Sequence, residues 1–271
     1  MKFNATRGEA KIRKIRSSLI YVIKLLKLYP PAKKVKLRMI RLSPTYLSHE
    51  REMSKFYSQF IKKGDLCFDV GANVGKFTKV FLKLGAKVIC IEPQETCLQQ
   101  LYKSFGDNKN VIIVGKAVGE SEGYGELMIC EDATTISTMS TKWKNESRFS
   151  KNYKWIKTQN KVPITTLDAL ILSHGLPKFC KIDVEGFEES VLKGLTKPIP
   201  FISFEFTTEF FDDAKKCINH LQSIGQVEFN CTLGESMKFL FSKWVAPDEL
   251  YKKIAEVDNK LLWGDIYARL L

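Results

Sequence analysis

Short apolar runs alternate with longer segments of helical periodicity along most of the chain after Gly64. The apolar runs predict strands over Leu66–Val70, Lys87–Ile91, Val111–Val114, Phe179–Asp183 and Pro200–Phe206. Apolar residues at helical spacing predict helices over Lys76–Leu84, Glu95–Ser104, Glu185–Leu192 and Phe211–Ser223. Strands that alternate with helices in this way predict an α/β fold with a mostly parallel, doubly wound sheet.

Two further pairs of apolar runs lie outside this alternation. The runs Gln226–Cys231 and Lys238–Trp244 predict an antiparallel C-terminal hairpin at the edge of the sheet. The runs Tyr124–Cys130 and Lys161–Ile164 predict strands on either side of a polar stretch that contains several aromatic residues. These aromatic side chains suit either a wall for a sugar ring or ordinary packing.

The N-terminal quarter of the chain differs in pattern and in charge. Apolar residues at helical spacing predict an amphipathic helix over Glu9–Tyr29, which the following prolines end. Residues 1–63 contain 17 lysines and arginines against three acids, so the net charge of +13 is confined to this region. We expect a basic helical extension over residues 1–50 and an α/β domain over residues 51–271. The extension suits a lid, a dimerisation helix or an acidic membrane surface.

The seven cysteines lie mostly inside apolar runs, and none of them forms a Cys-x-x-Cys pair. This pattern favours buried thiols in a reducing compartment over a disulfide framework or a zinc site. The basic start lacks the uninterrupted apolar core of a signal peptide, and Leu19–Leu28 is too short to span a bilayer. We therefore expect a cytoplasmic protein, with peripheral attachment to the inner membrane surface as an alternative.

A glycine-containing loop follows the first predicted strand, from Asp69 to Gly75. Glu92, at the end of the second predicted strand, is placed to accept hydrogen bonds from ribose hydroxyls. In doubly wound sheets such features bind either a dinucleotide or an adenosyl cofactor. Asn73 replaces the second glycine of the dinucleotide fingerprint, and Asp69 would repel a pyrophosphate. A nicotinamide-dependent oxidoreductase is therefore disfavoured.

Three motifs in this order resemble the FkbM family of methyltransferases. They are Asp69-Val-Gly-Ala-Asn-Val-Gly-Lys-Phe-Thr78, Ile91-Glu-Pro93, and Lys181-Ile-Asp-Val-Glu-Gly-Phe-Glu188 with Val191-Leu-Lys-Gly194. The resemblance covers roughly Gly64–Phe206. It implies a Rossmann-like class I methyltransferase fold, S-adenosylmethionine as methyl donor, and O-methylation of a sugar, glycan or secondary metabolite.

The resemblance also implies a set of cofactor-binding residues. Around the loop, the methionine end of the cofactor would be held by Asp69, Gly71, Ala72, Asn73 and Gly75. Glu92 and Pro93 would lie at the ribose, Lys116 and Ala117 at the adenine, and Asp183 beside the methyl group.

Methyl transfer to oxygen requires a group that takes up the hydroxyl proton. The candidates are Asp183, Glu185 and Glu205, which lie at the carboxyl ends of the fourth and fifth predicted strands. Asp183 is the preferred base, and Glu185 suits the N-terminus of the following helix equally well. Three carboxylates near one point also allow assistance by a divalent metal, which the spacing does not demand and which we do not predict.

The basic N-terminus leaves one further alternative, an RNA-binding methyltransferase or binding module. Against this, the amino-methylation element Asn-Pro-Pro-Tyr is absent after the fourth predicted strand, where Asp183-Val-Glu-Gly stands instead. We therefore expect a small-molecule, sugar or glycan acceptor rather than nucleic acid.

Overall fold

The computed structural model describes residues 44–130, 133–150, 153–157, 161–257, 259 and 261–271. The strands in these ranges are β1 Leu66–Val70, β2 Lys87–Ile91, β3 Val111–Val114, β4 Ala117–Val118, β5 Gly123–Gly125, β6 Met128–Cys130, β7 Trp155–Lys157, β8 Val162–Thr165, β9 Phe179–Ile182, β10 Phe201–Thr207, β11 Val227–Leu233 and β12 Trp263–Leu270. The helices are α1 Pro44–Tyr57, α2 Lys76–Lys83, α3 Glu95–Phe105, α4 Thr141–Glu146, α5 Leu167–His174, α6 Glu188–Lys193, α7 Phe211–Ile224 and α8 Pro247–Ala255.

The predicted helix over residues 9–29 lies outside the described residues, as do the roles considered for it. The chain divides into two compact units, Met1–Glu52 and Met53–Leu271. The functional division between an extension over residues 1–50 and a domain over 51–271 stays a prediction. None of the helices in the described ranges is both long and apolar enough to cross a membrane.

Seven strands form the main sheet, in the order β11-β12-β10-β9-β1-β2-β3. The pairs from β10 to β3 are all parallel, and β12 runs antiparallel to both of its neighbours. This arrangement confirms the predicted α/β fold with a mostly parallel sheet and an antiparallel C-terminal edge. After β1, the chain first forms β2 and β3 on one side of this strand and later forms β9 on its other side. Such a change of direction places a crevice at the carboxyl ends of these strands.

Both faces of the sheet are buried, which is why its central strands are almost continuously apolar. Neighbouring residues in a strand belong to different apolar clusters, because side chains alternate between the faces. Phe68 packs in a cluster with Phe204 and Leu192, whereas Phe179 packs with Tyr57 and other aromatic rings. The carboxyl ends of the strands are therefore held on a rigid, two-sided core.

The predicted C-terminal hairpin has a different second strand. Residues 238–244 do not form a strand, and β12 pairs with β11 instead. The buried Asn230 side chain explains the difference. Its amide nitrogen donates to the carbonyl oxygens of Phe241 and Lys243 at 3.0 and 3.1 Å, and its oxygen accepts from the Phe241 amide. The backbone groups that a strand would use for pairing are thus occupied by one side chain.

The segment between β3 and β9 forms two small sheets, β4-β8-β5 and β6-β7. The single strand predicted over Tyr124–Cys130 is therefore two strands in different sheets, separated after Gly125. Helix α4 lies within the stretch that the sequence leaves as polar and aromatic. Ser140 caps this helix, since its hydroxyl oxygen accepts from the backbone N–H of Trp143.

Candidate active site

The loop after β1 fits closely against the loop after β9. Gly71 has a positive φ of 78°, and a Cβ atom at this position would lie 1.8 Å from the carbonyl oxygen of Asp183. The backbone N–H groups of Gly71 and Ala72 both donate to the carbonyl oxygen of Ile91 at 3.0 Å. Only glycine therefore fits at position 71, because any side chain would push the two loops apart.

Asp69 supports this loop from the inside of the fold. Its side chain is 1% exposed, and its Oδ2 accepts hydrogen bonds from the Thr78 hydroxyl at 2.6 Å and the Thr78 backbone N–H at 2.8 Å. Burial raises the pKa of the carboxyl to about 6, against the lowering effect of the bonds from Thr78. Asp69 thus joins β1 to the first turn of α2 and fixes the loop between them.

Glu92 closes the loop on the opposite side. Its Oε2 accepts from the Asn73 backbone N–H at 2.8 Å, and its Oε1 accepts from the Gln94 backbone N–H at 2.9 Å. Burial raises the pKa of this carboxyl to about 7, although both hydrogen bonds lower it. In a phosphate-binding loop the N–H of Asn73 would be available to an anion. Here it donates to a carboxylate, which argues against a pyrophosphate ligand.

The turn between β9 and α6 is held by Glu188. The predicted helix start at Glu185 is wrong, because Glu185 and Gly186 have positive φ values of 55° and 83° and α6 begins at Glu188. The Oε1 atom of Glu188 accepts from the backbone N–H groups of Val184 and Gly186 at 3.0 and 3.3 Å. Glu188 therefore takes the helix-start position expected for Glu185. Glu185 itself adopts a left-handed conformation, which is rare for a glutamate and typical of functional sites.

A buried lysine lies next to Asp183. Lys181 is 1% exposed, and its Nζ lies 3.0 Å from Asp183 Oδ2 and 3.4 Å from Asp265 Oδ1. The two carboxylates hold the pKa of Lys181 well above its usual range, although burial acts in the opposite direction. The same Nζ lies 4.3 Å from the centre of the Phe77 ring. This charged group fixes the orientation of the Asp183 carboxylate.

The three predicted proton acceptors come together in the structure. Asp183, Glu185 and Glu205 each offer a carboxylate oxygen, and these oxygens lie within 4.8 Å of one another. Burial and mutual repulsion raise the pKa values of Glu185 and Glu205 well above the usual range for a glutamate. Oxygen atoms at this spacing could also hold a divalent cation such as magnesium. The expectation that no metal takes part stays a prediction.

A cavity of about 470 Å³, called the main cleft below, lies at the carboxyl ends of β1, β2 and β9. Ten of the predicted site residues line it: Gly71, Ala72, Asn73, Glu92, Pro93, Lys116, Ala117, Asp183, Glu185 and Glu205. Asp69 and Gly75 are not among its lining residues. Gly75 packs against Phe105, whose Cε2 atom a Cβ atom here would approach to 2.4 Å. Asp69 and Gly75 therefore shape the loop that the other residues present to the cleft.

Sequence reasoning missed several residues of the main cleft. Lys181 and Asp265 line it, together with Phe77 and Thr138. The hydroxyl of Thr138 donates to the carbonyl oxygen of Glu185 at 2.7 Å and supports the strained turn. A lysine inside an apolar strand was the available signal, because a buried cation requires an acidic partner. Asp183 is one such partner, and the identity of the second, Asp265, could not be read from the local pattern.

The residues of the main cleft fit the cofactor expected from the sequence. S-adenosylmethionine carries an ammonium, a sulfonium and ribose hydroxyls, and carboxylates bind all three kinds of group. Glu92 and Asp183 supply such carboxylates at the ends of β2 and β9, the two strands on either side of β1. The absent side chain at Gly71 lets the loop after β1 pack directly against the backbone of Asp183, which brings the two loops of the cleft together. The volume of the cleft lies within the range of small-molecule and cofactor sites.

Residues 69–238 match the family described as the methyltransferase FkbM domain. A curated relative, the hexuronic acid methyltransferase AglP of Haloferax volcanii, is 25% identical over 162 residues. The match covers 58% of this chain and 61% of the relative, so it spans about three fifths of that protein's length.

Solved structures of methyltransferases also resemble the chain. The precorrin-6y C5,15-methyltransferase of Geobacter metallireducens is 12% identical with a TM-score of 0.43, over 81% of this chain and 87% of that one. A TehB-like S-adenosylmethionine-dependent methyltransferase of Corynebacterium glutamicum is 11% identical with a TM-score of 0.43, over 89% and 96%.

The family match includes all three motifs on which the resemblance rests, and it extends from Asp69 through the end of β11. It confirms the predicted cofactor, S-adenosylmethionine, for which the main cleft supplies fitting residues. The chain therefore belongs to the FkbM methyltransferase family.

Proposed function

We propose that the protein transfers the methyl group of S-adenosylmethionine to a hydroxyl of a sugar or a sugar-containing metabolite. The observation that carries the proposal is the group of three carboxylates on the wall of the main cleft, Asp183, Glu185 and Glu205. An acceptor hydroxyl must lose a proton as it is methylated, and these groups are placed to receive it. The sugar acceptor named for the relative AglP supports the choice of acceptor class.

The roles of the carboxylates follow from their surroundings. When bound, S-adenosylmethionine supplies a methyl group on a positively charged sulfur. Asp183, oriented by Lys181, accepts the hydroxyl proton while the oxygen–carbon bond forms and the sulfur–carbon bond breaks. Burial, with the neighbouring carboxylates, raises the pKa values of Glu185 and Glu205 well above the usual range for a glutamate. This shift favours the protonated form of both groups, in which a carboxyl donates a hydrogen bond to the acceptor or to Asp183.

The test combines binding with turnover. S-adenosylhomocysteine is titrated into the protein by calorimetry, with a nicotinamide dinucleotide as control. Transfer of labelled methyl from S-adenosylmethionine to a mixture of glycosides is then measured for the wild type, Asp183→Asn and the exposed control Asp107→Asn. We expect Asp183→Asn to lower transfer at least 100-fold, which is the usual contribution of a general base. Asp107→Asn should transfer at the wild-type rate.

Two results would contradict the proposal. One is a folded wild type that does not bind S-adenosylhomocysteine or binds the dinucleotide as well. The other is a methylated product in which the label is on nitrogen or carbon. Addition of a chelator tests the metal alternative in the same assay, and we expect it to leave transfer unchanged because Lys181 already supplies a cation beside Asp183.

A further inference from the structure

S-adenosylmethionine carries one anionic group, the carboxylate of its methionine part. The carboxylates of the main cleft suit its ammonium, its sulfonium and its ribose hydroxyls, but they repel this group. An anion that leaves water for a protein site needs a cation or hydrogen-bond donors as partners. We therefore looked for a cation on the wall of the main cleft that such a carboxylate can reach.

Three lysines line the main cleft in the part of the chain that the structure describes, and two of them do not suit this carboxylate. Lys181 is 1% exposed, and its Nζ is held between Asp183 and Asp265. Lys116 follows β3, which is separated from β1 by β2. Neighbouring strands lie about 4.8 Å apart, so Lys116 is two strand spacings, or roughly 10 Å, away from the end of β1. It lies instead where the adenine is predicted.

Lys76 is the third lysine, and it begins α2 directly after Gly75. The loop that ends at Gly75 is the one predicted to hold the methionine part of the cofactor. Burial raises the pKa of Asp265, and the charge of Lys76 is among those that act against this shift. The ammonium group of Lys76 therefore lies near the row of charged groups at the ends of β9 and β12.

The partner of Lys76 in the structure is one that it can exchange. Its Nζ lies 3.3 Å from Oε1 of Glu235, a residue of the segment after β11 that also lines the main cleft. The two side chains are 45% and 63% exposed, and ion pairs this exposed contribute little to stability. A carboxylate of the cofactor can therefore replace the carboxylate of Glu235 at small cost. The buried pairs of Lys181 do not allow such an exchange.

We propose that Lys76 binds the carboxylate of S-adenosylmethionine and gives up its ion pair with Glu235 when it does so. The proposal requires the cofactor of this family and does not depend on the acceptor in the proposed function. Lys76 selects a cofactor with an intact amino acid part. Glu235 competes with the cofactor for the same ammonium group, so Glu235 lowers the affinity for the cofactor.

The experiment compares two ligands that differ only in the carboxylate. They are S-adenosylhomocysteine and its decarboxylated form, in which a hydrogen atom replaces that group. Calorimetry gives the Kd of each ligand, and the ratio of the two Kd values removes any effect that a variant has on both. Lys76→Met keeps the length of the side chain and removes its charge. We expect Lys76→Met to reduce the preference for S-adenosylhomocysteine by about tenfold or more.

Two lysine variants serve as matched controls. Lys83→Met removes the same charge from the last turn of α2, where the side chain is exposed and does not line the main cleft. Lys116→Met removes a charge from the main cleft itself. Salt screens charges that are about 10 Å apart, so both controls should keep the wild-type ratio to within about twofold.

The competition by Glu235 predicts a change of opposite sign. Glu235→Gln should tighten the binding of S-adenosylhomocysteine by about two- to fivefold, the effect expected for the loss of an exposed ion pair, and should leave the decarboxylated ligand unaffected. Glu256→Gln, which breaks an exposed pair with Lys253 outside the main cleft, should change neither Kd. The double variant Lys76→Met/Glu235→Gln should bind as Lys76→Met does, because Glu235 acts through Lys76.

The outcomes separate this proposal from the proposed function. A wild type without preference between the two ligands, or a Lys76→Met variant that keeps the wild-type ratio, would overturn the role of Lys76. Unchanged or weaker binding of S-adenosylhomocysteine in Glu235→Gln would overturn the exchange with Glu235. In each of these cases S-adenosylhomocysteine still binds and the proposed function stands. A folded wild type that does not bind S-adenosylhomocysteine would overturn both.

Discussion

The ammonium group of Lys181 lies between two carboxylates in the interior, 3.0 Å from Asp183 and 3.4 Å from Asp265. Each of these groups is costly to bury alone, and together they balance most of their charge. The ion pair gives the Asp183 carboxylate a fixed position at the end of β9. The position of one proposed base thus depends on a residue two places earlier and on another 84 residues later.

Replacement of this lysine tests its contribution to stability. We expect Lys181→Met to lower the free energy of unfolding by about 3–5 kcal/mol at pH 8, because it leaves two facing carboxylates without their cation. The loss should be smaller at pH 5, because burial raises the pKa of Asp265 and this carboxyl takes up a proton more readily there. Urea unfolding at both pH values measures the difference. Lys193→Met, which removes a solvent-exposed pair with Glu189, should change stability little. A loss below 1 kcal/mol for Lys181→Met at both pH values would contradict this account.

Residues that follow strand ends could be predicted from the sequence, and residues paired across the sheet could not. Glu92 and Asp183 come directly after apolar runs, so their place at the cleft follows from the strand order. Asp265 reaches Lys181 only because β12 lies beside β10, which no local pattern indicates.

At the scale of elements, the turn between β9 and α6 stores backbone strain at the proposed site. Glu185 holds a φ of 55°, and its carbonyl and neighbouring N–H groups are fixed by Thr138 and Glu188. A left-handed conformation costs a residue other than glycine about 1–2 kcal/mol, and asparagine less than most. The turn therefore trades stability for the position of the Glu185 carboxyl.

Two substitutions separate the backbone from the carboxyl group. Glu185→Ala removes the carboxyl group and keeps the unfavourable conformation, whereas Glu185→Asn also reduces the conformational cost. We expect Glu185→Asn to be more stable than Glu185→Ala by about 1 kcal/mol in chemical unfolding. Both variants should lose methyl transfer if the carboxyl group acts on the acceptor. Equal stability of the two variants would mean that the turn is not strained.

The central strands and the C-terminal edge differ in how well the sequence predicts them. The strands β1, β2 and β3 have the predicted bounds, because each is a buried apolar run between clear turn residues. The predicted strand over residues 238–244 is equally apolar, but the Asn230 side chain takes its backbone groups. Strand β12 was not predicted, because a helix and a long connection separate it in the sequence from its pairing partners β10 and β11.

At the scale of the whole molecule, cofactor binding and folding are linked through Glu92. The pKa of about 7 means that the carboxyl is ionised above pH 7 in the free protein and protonated below it. The ionised form accepts hydrogen bonds from ribose hydroxyls, so cofactor binding should strengthen as the pH rises through 7. A ligand at about 100 times its Kd stabilises the folded state by about 2.7 kcal/mol.

We expect S-adenosylhomocysteine at about 100 times its Kd at pH 8 to stabilise the folded protein by about 2.7 kcal/mol at that pH. The same ligand concentration should stabilise it by about 1.4 kcal/mol less at pH 6. Urea unfolding with and without the ligand measures both values. In the Glu92→Gln variant, the ligand should stabilise the folded state less at pH 8, and this stabilisation should not change with pH. Glu95→Gln, on the exposed side of α3, should keep the wild-type profile. A wild-type profile that is flat between pH 6 and pH 8 would contradict the role of Glu92.

The place of β12 between β10 and β11 has a consequence for biosynthesis. Because β12 follows both neighbours in the sequence, neither can complete its pairing until residues 263–270 have left the ribosome. Strands β1, β2 and β3 have no such requirement and can assemble earlier. The nascent chain therefore carries open sheet edges until β12 has been synthesised, and open edges expose it to misassembly and to chaperone engagement. Asp265 arrives with this strand, so Lys181 gains its second counterion only after residues 263–270 have been synthesised.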